Sequence, residues 1–337
     1  MDINLKSATL TKNENLKPGP RPWFFIGEAQ LKPSGKEDLI NYYFMKSIAF
    51  LVVILLFSLV FFLIKASNEA ITEFGVIDFF LSKKWNPVED EFGALPFIFG
   101  TVFTSILALL FAAPLSVMVA VFINEICPKW LGNIIGLFVE MIAAIPSIVF
   151  GLWGLFYLVP WVSDSLSPWI KENISSVGVF GGPSFGIGIL SASMILSVMI
   201  IPTITSICRE VFKTIPPHQK EAALALGATR LEMIELTVLR PSFAGIMGGI
   251  VLGLGRALGE TMAVAMVIGN APKISMSIFS TGATMASVIA NEYAEASSDL
   301  HVASLCLIAV LLFMVTLVIN ALARFIVWKF SVKKGFK

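Results

Sequence analysis

The sequence predicts an all-α, polytopic membrane protein with six transmembrane helices and both termini cytoplasmic. Three observations predict it. Hydrophobic residues make up 56% of the 337 and charged residues 14%, against roughly 45–50% and 25% in soluble domains, which leaves too little polar surface to face water. The apolar residues fall into six long runs separated by polar segments. Eighteen of the 24 lysines and arginines lie in the N-terminal stretch, the 124–131 link, the 208–240 insert and the C-terminal end, while the three alternate loops hold five. Basic segments stay on the cytoplasmic side, so this bias orients the whole chain.

Residues 1–43 form a polar cytoplasmic extension. Its patch Trp23, Phe24, Phe25 and Ile26 either rests on the membrane interface or belongs to a disordered tail. No early apolar core of a signal peptide is visible, so the first span reads as an uncleaved anchor. Residues 44–330 form the membrane domain. Span one, 47–64, is flanked by Lys46 and Lys65 and reaches about 27 Å as a helix, close to the hydrocarbon thickness. An acidic loop, 65–93, follows on the outer side.

Span two, 94–123, carries Pro96 and Pro114. The link NEICPKW turns the chain into span three, 132–159, which contains Glu140 and Pro146. Residues 160–184 are a Pro/Gly/Ser-rich outer loop, and span four is 185–207. The polar insert 208–240 lies in the cytoplasm. Span five is 241–268, residues 270–301 form an outer polar loop with Glu292, Glu295 and Asp299, and span six is 302–323. A basic cytoplasmic tail, 331–337, ends the chain.

The insert has its own local logic. Pro216 and Pro217 suit the first turn of a helix, where the backbone donors have no partner. HQKEAALAL is rich in helix formers, Gly227 supplies a turn, and Thr229 suits the N-cap of a second helix, TRLEMIELTVL. The small residues Ala222, Ala223, Ala225, Gly227 and Ala228 let another surface approach closely.

Span five concentrates the chemistry. Gly245, Gly249 and Gly253 recur every four residues, as do Gly255 and Gly259, a spacing that packs membrane helices tightly. Arg256 lies near mid-membrane with Glu260 four residues on, so the two share a helix face and can pair. A charge at that depth costs roughly 2.5–3.5 kcal/mol on insertion scales, so the pair faces protein or a water-filled path. Two readings stay open: a structural ion pair that fixes helix register, or a guanidinium that meets an anion, with Glu260 holding or gating it. The second is favoured, because ionisable groups at this depth are functional by default. Glu140 is a third intramembrane charge, on the pathway or structural, with the structural role favoured.

Other chemistries find no support. Net charge is +1, which gives no field for a nucleic acid. Cys127, Cys208 and Cys306 are far apart and read as free thiols, and His218 and His301 are also separated, so no metal site is expected. No GxxxxGK[ST], GxSxG or HExxH occurs, so the chain reads as a transport subunit rather than an enzyme.

Two resemblances extend this reading. EAA, three residues, then Gly227 resembles the EAA loop of ABC-importer permeases. The resemblance implies that Glu221, Ala222, Ala223 and Gly227 belong to a coupling helix that docks into an ATP-hydrolysing subunit. The family's usual Leu-Pro ending is replaced by Leu239, Arg240 and then Pro241. GLGRALGETMAVAMVIGN, from Gly253 to Asn270, is similar to span five of the PstC-type permease of the phosphate-specific ABC importer. Segments such as FGALPFIFGTVFTS from Phe92 and IPSIVFGLWG from Ile145 agree, over about residues 85–330.

This second resemblance implies a type I ABC importer permease fold in a bacterial cytoplasmic membrane, with Arg256 and Glu260 taking part in phosphate translocation. It also implies two copies of an ATP-binding subunit using ATP and Mg, a sister permease, and an extracytoplasmic phosphate-binding protein. The alternatives are a permease for another oxyanion, molybdate or sulfate, and a stand-alone secondary anion transporter. The EAA insert weighs against the last, which needs no docking loop.

Overall fold

The computed structural model describes residues 36–174, 181, 185–275 and 277–334. The aromatic patch at 23–26 and the last three residues of the basic tail lie outside the described residues. The chain forms two compact units, one ending at Ser58 and one beginning at Leu59. In the first unit the described residues belong to helix α1 (Lys36–Ala66), and the side chains from Leu39 to Ser58 are all exposed in the isolated chain. Bare Phe50, Leu55 and Phe57 suit lipid rather than water.

The second unit continues with α2 (Asn68–Phe74), α3 (Val76–Leu81), α4 (Leu95–Val121), α5 (Lys129–Ala143), α6 (Ser147–Trp153), α7 (Val159–Trp161) and α8 (Ser167–Ile174). After it come α9 (Ile189–Lys213), α10 (Pro217–Ala225), α11 (Arg230–Met233), α12 (Phe243–Leu258), α13 (Met262–Ala265), α14 (Met285–Glu292) and α15 (Asp299–Lys334). No strand occurs among the described residues. Among the described residues five helical runs are long and apolar enough to cross a membrane, and a sixth crossing follows if Arg230–Leu239 and Phe243–Leu258, bent by 72°, count as one.

The core is built around α9, whose two sides carry α4 and α12. Ile195, Leu196, Met199, Ile200 and Ile204 of α9 are all essentially inaccessible. Hydroxyls reach across the α4–α9 pair while shared with their own helices: Ser197 Oγ lies 3.0 Å from the carbonyl of Ala108 and 2.7 Å from that of Ser193, and Ser116 Oγ 3.3 Å from that of Ile201 and 2.6 Å from that of Ala112. Gly245, Gly249 and Gly253 face α9, as their spacing predicts. A Cβ at 245 would stand 2.6 Å from Val211 and one at 253 would stand 2.8 Å from Ile204.

Several boundaries differ from the sequence reading: α9 runs on to Lys213 and α15 spans Asp299–Lys334, past the expected ends at 207 and 323. Span three is not one helix over 132–159. It breaks at Ala144–Pro146, because proline lacks an N–H and disfavours helix in the residue before it. The run long enough to cross begins at Ser147 and continues to Asn173 through two wider turns, 154–158 and 162–166, so much of the expected 160–184 loop is helix.

Span five likewise stops short: α12 ends at Leu258, and the chain turns before α13. The expected polar loop 270–301 is largely buried over its middle, residues 278–288. Ile278, Phe279 and Ala283 are inside, and this segment caps the buried start of α9, with Ile189 N–H donating to Ser280 and Leu190 N–H to Ile278. Glu292 accepts from the indole N–H of Trp85 at 2.9 Å and lies 3.1 Å from His301 Nε2, tying α14 to α15 and to the segment before α4.

Candidate functional site

Arg256 stands in the last turn of α12. Its guanidinium Nη1 donates to the hydroxyl of Thr203 on α9, 3.1 Å away. Pro202 lies inside α9 immediately before Thr203. The close approach of α12 to α9 through Gly249 and Gly253 delivers Arg256 to that hydroxyl. Arg256 is half-buried.

The expected Arg256–Glu260 ion pair is not formed. The i, i+4 argument requires continuous helix through both residues, and α12 ends two residues before Glu260. The Glu260 carboxylate instead turns forward and accepts from the N–H of Ala263 at 3.3 Å, holding the start of the next helical turn. Among the described residues Arg256 therefore has a neutral partner. Its charge is not cancelled by a carboxylate, and four of the five guanidinium donors stay uncommitted to Thr203.

The insert folds as its sequence predicts. Pro216 precedes α10, with Pro217 in its first position. Gly227 turns the chain with φ of +90°, a conformation that side chains with a Cβ rarely adopt. Thr229 caps α11 in a reciprocal box: Glu232 N–H donates to its hydroxyl, and Glu232 Oε2 accepts from Thr229 N–H at 2.8 Å. The Thr229 hydroxyl also donates to Glu232 Oε2 at 2.8 Å, and these two donors, the backbone N–H first, hold the Glu232 carboxyl below the usual value.

Glu221, Ala222 and Gly227 are exposed, whereas Ala223 is partly buried against a cluster containing Ala120, Ile204, Cys208 and Phe212. Leu226, at the tip, is 90% exposed. Arg240, at the departure from Leu-Pro, pairs with Glu235 at 2.6 Å, at the 72° bend into α12.

Glu140 is not buried, as its place inside a span suggests. Its side chain is 59% exposed in the isolated chain, on α5, the helix that ends before the Pro146 break. It lies 3.4 Å from Nη1 of Arg209, which the sequence reading assigns to the cytoplasmic insert. Arg209 belongs to α9 and is buried, its guanidinium over Gly136.

The family described as binding-protein-dependent transport system inner membrane component matches residues 112–331. The chain belongs to this family. The phosphate transport system permease protein PstC of Mesorhizobium japonicum is 42% identical over 312 residues, 91% of this chain and 95% of its own length. PstC of Xylella fastidiosa is 40% identical over 98% of this chain and 99% of its own, and PstC of Haemophilus influenzae is 40% identical over 85% and 92%. A solved bacterial ABC transporter involved in alginate import has the same fold, with a TM-score of 0.52 at 19% identity over 84% of this chain and 98% of that one.

In this permease the sequence signals lead to Arg256 and the insert but pass over four residues. Thr203 is one hydroxyl among many in an apolar helix. Arg209 looks like a loop cation because the hydropathy falls at Cys208. The pair Lys220–Glu125, 2.7 Å apart, joins residues 95 positions apart in sequence. For Arg209 the nearby Glu140 is a signal, since an isolated acid within an apolar run calls for a cation.

Proposed function

We propose that the chain is the membrane-spanning subunit of an ATP-driven importer that carries inorganic phosphate into the cytoplasm. Near-full-length identity of 40–42% to proteins named phosphate transport system permease supports the substrate. The single observation that carries the mechanism is Arg256, held on a neutral hydroxyl and not spent on a carboxylate. A guanidinium presents several donors in a plane that match phosphate oxygens, so an arriving oxyanion finds a positioned, uncancelled charge. Glu260 orients the turn after α12 and thereby the end of the helix that carries Arg256.

Energy enters through a partner. Residues 217–227, with Glu221, Ala222, Ala223 and Gly227, dock on the ATP-binding subunit, which hydrolyses ATP with Mg. Two such subunits, this permease and a sister permease make up the membrane assembly. An extracytoplasmic binding protein delivers phosphate to the outer face. Both termini and the insert lie in the cytoplasm, in accord with the bias of basic residues. ATP-driven closure of the partner pushes α10, and the path opens outward, takes phosphate past Arg256 and resets after hydrolysis.

The test is purification of the intact complex, identification of its subunits, and reconstitution in liposomes with phosphate, sulfate and molybdate offered separately. ATP-dependent uptake of phosphate alone is expected. Uptake of molybdate or sulfate in preference assigns another oxyanion, and anion flux without ATP or an ATPase partner overturns the proposal.

A further inference from the structure

The docking helix α10 has no fully buried residue. Apart from its contacts with α11 and with the wider turn 234–239 that follows, two contacts among the described residues tie it to the body. One is Ala223, partly buried against the cluster below it. The other is Lys220, whose ammonium lies 2.7 Å from Glu125 Oε1, with the Glu125 side chain 5% exposed and that of Lys220 22%. Glu125 sits in the wide turn 122–126 at the end of α4. Its neighbour Asn124 donates from Nδ2 to the carbonyl of Arg209 on α9, 3.0 Å away. Two consecutive residues of one turn thus grip the docking helix on one side and α9 on the other. Six residues up α9, Thr203 holds Arg256.

We propose that the Glu125–Lys220 ion pair is the strut that transmits displacement of α10 to α9, and through Thr203 to Arg256. It rests on the proposed function, in which residues 217–227 dock on the ATPase. A largely buried ion pair contributes little net stability, since desolvation offsets the attraction, but it resists sliding because each partner is costly to leave alone. That combination suits a transmitting contact: α10 stays otherwise lightly attached and free to follow its partner, yet cannot move without drawing the 122–126 turn. Glu125 and Lys220 are positioning residues, acting on the anion site only through α9.

The experiment measures phosphate transported per ATP hydrolysed by the reconstituted complex. Glu125→Gln and Lys220→Met are each expected to lower that ratio about fivefold or more, the scale of coupling changes carried by single contacts. The double variant Glu125→Gln/Lys220→Met should be no worse than either single, and the exchange Glu125→Lys/Lys220→Glu should recover most of the ratio. Assembly is read by size-exclusion chromatography. Lys220→Met, on the exposed helix, keeps the test valid if Glu125→Gln fails to assemble.

An unchanged ratio in Lys220→Met, losses that add in the double variant, or a loss that tracks assembly without recovery on charge exchange overturns the strut. Glu221→Lys and Gly227→Asp run alongside. If they uncouple and the Lys220 variant does not, only the strut fails. If they leave the ratio intact, the docking role itself fails.

Discussion

The guanidinium of Arg256 donates to the hydroxyl of Thr203, 3.1 Å away, between two helices whose contact runs along a stripe of glycine. The bond fixes where the charge sits without neutralising it. Had Glu260 been the partner, an incoming phosphate would have to displace a carboxylate. A hydroxyl can yield or share the guanidinium at much lower cost, since a hydrogen bond to a charged group contributes roughly 1.5–3 kcal/mol net.

Arg256→Gln should therefore abolish phosphate uptake while the complex still assembles. Thr203→Val, which keeps the side-chain shape and removes the hydroxyl, should lower uptake about tenfold at limiting phosphate, and less at saturation, because it removes positioning and not the charge. Uptake kinetics in whole cells or liposomes distinguish the two. Normal uptake by Arg256→Gln would remove the arginine from the mechanism.

Glu221→Lys and Gly227→Asp should uncouple ATP hydrolysis from transport without harming membrane insertion. Glu221 is exposed, so a reversed charge alters the docking face and little else. At Gly227 a Cβ meets no neighbour, so the cost lies in the +90° φ, roughly 1–2 kcal/mol for an L-residue in left-handed backbone. ATPase activity and uptake measured on the same preparation give the answer.

Gly245→Ala and Gly248→Ala form a matched pair. The Cβ at 245 would stand 2.6 Å from Val211, whose branched side chain has little freedom to swing, whereas one at 248 meets nothing within 4 Å. Gly245→Ala should cost about 1–3 kcal/mol through forced separation of α12 and α9. Gly248→Ala should lie within about 1 kcal/mol of the parent, on the stabilising side. Thermal unfolding midpoints in detergent check both, and equal effects would contradict the packing assignment.

The cap of α11 should weaken in acid. The Glu232 carboxyl is held below its ordinary 4.5 in the fold by the Thr229 N–H and then the Thr229 hydroxyl. A lowered folded value means the contribution is present above the unfolded value and is lost as pH falls through 4.5 and the folded value below it. Hydrogen exchange at residues 229–239, corrected for intrinsic rates, should show opening as the pH falls below 4.5. In Glu232→Ala the same amides should be open already at neutral pH, with no further acid step.

The membrane class, the helix–turn–helix of the insert and the glycine face of α12 were legible from the residues because each rests on local rules. Pro216, Gly227 and Thr229 act within one or two turns of themselves, and a glycine every fourth position defines a face before any partner is known. The same local rules misplaced the end of span five. Apolar residues continue through 268, so composition has no stop at Leu258.

Composition thus determined that the chain lives in a membrane, and local sequence where its helices tend to start. Tertiary packing decided the partners. Arg256 meets Thr203 53 residues away, Arg209 meets Glu140 69 away and Lys220 meets Glu125 95 away. A helix satisfies its own backbone from nearby sequence. A charged side chain in an apolar medium is satisfied by whichever polar group packing brings within 3 Å or so, and only the folded arrangement of α4, α5, α9, α10 and α12 makes that choice.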